Sequence, residues 1–77
     1  MKMKMYCIYD MVSCESAPPM IAKNDAQALR MLDRSLEGLP DKGDFGLYYI
    51  GGFDTESMGL TDIATPRKVV VRDVEED

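Results

Sequence analysis

One segment of the sequence carries a full set of helix boundaries, and it limits what every other residue can become. Asn24 is placed to cap a first turn through its side-chain oxygen. Gln27, three residues on, can reach back to the cap's own N–H, a variant of the capping box. Asp25 adds negative charge where the helix dipole favours it. At the far end Gly38 suits the left-handed C′ position, Leu39 can fold back on the last turn, and Pro40 stops propagation. Between these marks Ala28, Leu29, Leu32 and Leu36 form one apolar stripe with Met31 on its border, while Gln27, Arg30, Asp33, Arg34 and Glu37 take the wet side. Arg30 with Asp33 and Arg34 with Glu37 make i,i+3 pairs of opposite charge, worth about 0.2–0.5 kcal/mol each when exposed. No other segment has such a set, so the rest must be strand or turn under one short helix.

Residues 3–12 read as the first strand. Met3, Met5, Cys7, Tyr9 and Met11 point one way, and Lys4, Tyr6, Ile8, Asp10 and Val12 the other. A polar turn over 13–16 precedes Ala17-Pro18-Pro19, whose prolines forbid a central strand position, so an edge strand begins near Met20. After the helix, Asp41-Lys42-Gly43-Asp44 is a turn. Residues 45–53 form a second long strand with Phe45, Leu47 and Tyr49 on one side and Tyr48 and Ile50 on the other. Gly51-Gly52 breaks the regular ladder as a bulge or bend does. Asp54-Thr55-Glu56-Ser57 is a hairpin turn, and residues 58–63 return as a short strand anchored by Leu60. Thr65-Pro66 punctuates, and residues 67–74, with Val69-Val70-Val71, offer a further edge strand. The order is β-β-α-β-β with room for that extra C-terminal strand. This is an α+β fold, a small, mostly antiparallel sheet with one helix packed on one face. Residues 1–77 make a single domain, with 73–77 expected as a frayed acidic tail.

A chain of 77 residues buries only about 60–65% of the surface its unfolded form exposes, so its core is thin. Metal is a poor reinforcement here, because there is no His and only Cys7 and Cys14. No apolar h-region follows the first residues, so both thiols are expected to be reduced, in a cytoplasm. No apolar run approaches the roughly 20 residues of a membrane span. The net charge of −5 opposes tight, non-specific binding to phosphate backbones. Lys2, Lys4, Arg67, Lys68 and Arg72 are the candidate phosphate contacts if they gather in space.

Catalytic constellations are missing from the sequence. Without His the Cys-His and Ser-His arrangements are impossible, and a strand cysteine such as Cys7 is usually inert. Asp54 and Glu56 share a turn and read as turn-formers. The same stretch fails as a calcium loop, because Met58 holds a ligand position and Thr65 stands where the bidentate Glu belongs. Gly51-Gly52 is followed by no Gly-Lys-Ser/Thr and leads into a turn, so it is no phosphate loop. The expectation is a protein that is not an enzyme, with no catalytic, cofactor or metal residues.

The two-faced strands say more. If Tyr9, Leu47 and Tyr49 lie under the helix, then Tyr6, Ile8, Tyr48 and Ile50 form an outward interaction surface; with the faces exchanged, the first set is left open. Either way an apolar, tyrosine-rich patch remains, and such a patch on a small domain marks an interaction site. It can pack on its twin to give a homodimer, stack unpaired bases, or dock a different protein of host or virus.

Met5-Tyr6-Cys7-Ile8-Tyr9-Asp10, Pro18-Pro19, Ala22-Lys23-Asn24-Asp25-Ala26-Gln27-Ala28-Leu29-Arg30 and Leu47-Tyr48-Tyr49-Ile50-Gly51-Gly52-Phe53-Asp54-Thr55-Glu56 stand in the order and spacing of a known family. Over about residues 3–60 the chain resembles the small nonstructural protein of gokushovirus-type microviruses, phages with circular single-stranded DNA. It departs at Ala17, where Gly precedes the Pro, at Met31-Leu32, where an aromatic follows the Arg, and at Gly52, where a larger residue is usual; the tail after Asp62 has no counterpart. The resemblance implies a non-capsid protein made in the cytoplasm of the bacterial host. Its role would lie in single-stranded DNA synthesis or the hand-over to packaging, with no catalytic residues. An acidic member fits an adaptor on the replication or assembly machinery. The alternatives are direct single-stranded DNA binding, with Tyr6, Tyr48 or Tyr49 as stacking groups, and inhibition of a host factor.

Overall fold

The structure, a computed structural model, describes residues 1–69. Strands β1 (Lys2–Asp10), β2 (Glu15–Ser16) and β3 (Met20–Ala22) come first. They are followed by helix α1 (Asp25–Ser35), a single 3-10 turn (Lys42–Asp44), β4 (Phe45–Asp54) and β5 (Gly59–Lys68). All pairings are antiparallel, in the order β2-β1-β4-β5, with β3 also pairing β1. The fold is thus α+β and dominated by its sheet. Pro18 and Pro19 divide the arm opposite β1 into two short strands, as residues without a ladder N–H must.

The helix forms where its signals stand. The Asn24 side chain accepts from the Gln27 N–H at 2.8 Å, while Gln27 Oε1 accepts from the Lys23 N–H at 2.6 Å, one residue before the expected partner. The C-cap is Leu36, so Gly38, at φ +87°, turns the chain two residues beyond it rather than one. Among the described residues the ion pairs are those of the Met1 amino group with Asp54 and Glu56. The helical pairs Arg30–Asp33 and Arg34–Glu37 therefore do not close. Solvated long side chains gain little by meeting.

The core lies between helix and sheet. Tyr6, Ala22, Ala28, Leu47 and Val69 are buried together, with Ile8, Met20, Leu29, Met31, Leu32 and Tyr49 packed around them. Burying Leu47 alone contributes about 1.5–3 kcal/mol. The shortest molecular extent is 22 Å, the thickness of one sheet with one layer upon it.

Three expectations are corrected. Residues 58–63 and 67–68 belong to one strand, β5, because Pro66 lies on the outer strand of the sheet. There the register slips between Tyr49↔Arg67 and Gly51↔Ile63, and a missing N–H breaks no pairing. Residues 70–74 of the proposed C-terminal strand, Arg72 and the tail 73–77 lie outside the described residues. Last, Tyr6 and Ile8 are not outward. Tyr6 is 0% exposed and Ile8 packs on the same core, because β1 and β4 pair as Tyr6↔Tyr49, Cys7↔Tyr48 and Ile8↔Leu47. Opposite residues of an antiparallel pair project to the same side, so the even residues of β1 share a face with the odd residues of β4.

Candidate functional site: an open apolar sheet face

The register assigns the uncovered face residue by residue. Across the sheet, Ile21, Met5, Gly51 and Ile63 stand in one row. Met3, Phe53 and Leu60 form the row on one side of it. Cys7, Tyr48 and Lys68, then Ser16, Tyr9 and Gly46, form the rows on the other. Ile50 is the extra residue where the β1–β4 register shifts, a bulge beside Gly51 that places it on this face next to Tyr48. The helix packs against β3 and β4 from the opposite side, and among the described residues no element lies over these rows. Ile63, Leu60 and Ile21 remain 79%, 57% and 43% exposed. Lys68 is the one charged side chain in the rows. A Cβ built on Gly46 would meet both the Tyr48 ring and the Lys68 side chain, so that glycine lets the two lie down over the strand.

Cys7, Tyr9, Cys14, Glu15, Tyr48 and Ile50 line a shallow trough of about 410 Å³ on this face, closed at its edges by Ser16 and Pro66. Tyr9 and Tyr48 meet edge to face at 5.9 Å and 79°, the arrangement aromatic quadrupoles prefer. The Cys14 thiol beside Tyr9, followed by burial, raises the phenol's pKa above its ordinary value. Both cysteines are free, Cys7 half-buried and Cys14 exposed.

The covered face is tied by hydrogen bonds. Tyr6 donates to Asp25, and Tyr49 donates to Asp62 at 2.8 Å while the Arg67 guanidinium sits 4.9 Å from its ring centroid. The two rings meet edge to face at 5.8 Å. Of the four residues expected to form the interaction surface, Tyr48 and Ile50 are on the open face and Tyr6 and Ile8 under the helix. Of the expected phosphate contacts, Lys2 and Lys4 fall on the helix side of β1, opposite Asp54 and Gly52. Arg67 is engaged with Tyr49 on that same side, and Lys68 is on the other. The structure therefore does not gather these cations into one patch. Buried Tyr6 cannot stack a base, and the tyrosines free to do so are Tyr9 and Tyr48.

The sequence pattern did not single out Ile21, Leu60 and Ile63 as members of the face. The signal was there in part: Met5 and Ile21 belong to two segments read as one hairpin, and an alternation count across it places both on one side. Among the described residues no three His, Cys, Asp or Glu side chains gather to hold a metal. No helix there is long and apolar enough to cross a membrane.

Sheet, helix and open face together define a two-layer α+β domain whose one functional feature is a surface. The model of the Phage ORF5 protein family matches residues 3–76, and the chain belongs to that family of phage proteins. Neither a curated protein nor a solved structure matches it.

Proposed function

We propose that this is a non-enzymatic phage accessory protein that acts through protein contacts of its open sheet face. Its place is in the synthesis or packaging of viral single-stranded DNA in the host cytoplasm. The observation that carries the reading is the run of apolar rows from Leu60 and Ile63 to Tyr48 and Tyr9, left uncovered on a member of a phage family. A patch of this kind is the mark of a docking surface. The resemblance to the nonstructural protein of gokushovirus-type microviruses supplies the replication and packaging context. The net charge of −5 favours contact with protein over the coating of a strand.

The test is a phage carrying Ile50→Asp, with protein level, strand-specific DNA and encapsidated genomes measured through one infection. The expected result is a fall of tenfold or more in viral single strands or in filled particles at unchanged protein level. Wild-type values of both overturn the reading.

A second reading, direct single-stranded DNA binding, is favoured by the Tyr9–Tyr48 pair with Lys68 at its side. Base–aromatic stacking contributes about 1–3 kcal/mol per base. Fluorescence anisotropy with a labelled oligothymidylate separates the two readings. A salt-sensitive micromolar affinity lost in Tyr48→Ala supports the second, and no binding at 100 mM salt supports the first.

A further inference from the structure

We propose that the open face pairs with the open face of a second copy of this chain about a two-fold axis running along the strands, so that Lys68 of each copy meets Glu15 of the other. The inference rests on reading this face as a protein-contact surface and names its occupant.

A chain with a net charge of −5 can pair with itself only through a patch that keeps its own carboxylates apart. The carboxylates near the sheet satisfy this. Asp25 and Asp62 are held by Tyr6 and Tyr49 on the helix side, and Asp10 and Asp54 accept backbone N–H groups in the turns. Glu15 is the one acidic residue bordering the trough, and Lys68 the one cation in the apolar rows. They stand at opposite margins of the sheet, Glu15 on β2 and Lys68 on β5.

That placement selects the symmetry. A two-fold along the strands sets β5 of one copy over β2 and β3 of the other with the rows kept in order. Lys68 then faces the Glu15 margin, and Ile63 faces Ile21 from the other copy, twice over. A two-fold across the strands would set β5 on β5 and reverse the rows, leaving both Lys68 groups over apolar side chains. The first arrangement is also the aligned packing of two twisted sheets, about 10 Å apart. Four strands and four rows give a face on the order of 500 Å² in plan. Side-chain relief raises its accessible area toward the ~800 Å² per partner of a specific interface, which suits a dimer of moderate affinity.

Sedimentation equilibrium of the purified full chain over 1–200 µM tests the proposal, with circular dichroism as the check on folding. The wild type is expected to be dimeric in the upper part of this range, and Ile63→Lys, at a largely exposed position, to be a folded monomer. Lys68→Glu and Glu15→Lys are each expected to raise the dissociation constant by about tenfold, and the double swap to recover most of it. A wild type that stays monomeric at 200 µM overturns the proposal, and so does an Ile63→Lys variant that dimerises normally. Single swaps without effect, or a double swap no tighter than either single, overturn it as well. A monomeric wild type alongside a defective Ile50→Asp phage would sink only the self-pairing and leave the proposed function standing.

Discussion

The Tyr6 hydroxyl donates to an Asp25 carboxylate oxygen at 2.5 Å, fastening the first turn of the helix to the middle of the central strand. Each residue solves the other's problem. Tyr6 is 0% exposed and its hydroxyl needs a partner away from water, while Asp25 keeps its charge beside the positive end of the helix. Tyr6→Phe is expected to keep the packing and cost about 1–2 kcal/mol, because a hydrogen bond to a charged acceptor is lost. Asp25→Ala leaves the buried phenol unpaired and is expected to cost about 1–3 kcal/mol. Urea denaturation of both variants and the double mutant should show clear coupling; additive losses would mean that the bond contributes nothing.

The same pair sets an alkaline limit. Burial first, and then the hydrogen bond to Asp25, raise the Tyr6 pKa well above that of a free phenol. The unfolded chain therefore loses this proton first. The stabilisation is complete below about pH 10 and is lost as pH rises toward the folded value, at up to about 1.4 kcal/mol per pH unit. Tyr6→Phe is expected to show a shallower fall in stability between pH 10 and 11.5 than the wild type. Equal slopes would assign the alkaline limit to other groups.

The helix was legible because its information is local. Asn24, the Ala28–Leu29–Leu32–Leu36 stripe and the stop at Gly38 each act within a turn of where they stand. Gly51-Gly52 was legible as an irregularity for the same reason. The composition of the open face was not, because it depends on whether Tyr6 opposes Tyr48 or Tyr49, and the helix and its loops separate those strands. A shift of one residue exchanges the faces. The bulge at Ile50 moves the parity once more inside the same strand. The continuity of β5 through Pro66 was hidden by a rule that holds for inner strands and relaxes at an edge.

Gly51 and Gly52 divide in consequence. A Cβ on Gly51 would run directly into the Asp62 carbonyl oxygen of the neighbouring backbone, at a φ of +156° that side chains rarely adopt. Gly51→Ala is expected to cost about 3 kcal/mol or more, through strain and a displaced β5. At Gly52 the obstacle is the Thr61 hydroxyl, which can rotate aside, so Gly52→Ala is expected to cost less than half as much. Thermal melts of the two variants check the order; equal losses would show that β5 shifts freely.

The two hairpin turns are built alike, and this yields the last prediction. In each, an Asp side chain accepts the N–H two residues on: Asp10 from Val12 at 2.9 Å and Asp54 from Glu56 at 3.0 Å. The same Asp's carbonyl accepts the N–H four residues on, from Cys14 at 2.8 Å and from Met58 at 2.9 Å. The fourth loop residue is left-handed without being glycine, Cys14 at φ +62° and Met58 at φ +61°. Met58 is 81% exposed and packs on nothing that its strain could serve. Met58→Gly is therefore expected to stabilise by up to about 1 kcal/mol, the left-handed penalty less the added freedom of the unfolded chain. The Glu56 N–H, then the nearby amino terminus, lower the Asp54 pKa below the ordinary carboxylate value. This contribution is present above about pH 4 and lost as pH falls below it. Asp54→Ala should lower the melting temperature at pH 7 and make little difference at pH 2.5, whereas Met58→Gly should raise it at both. A Met58→Gly variant less stable than the wild type would show that the methionine side chain, and not the turn's backbone, holds this end of the hairpin.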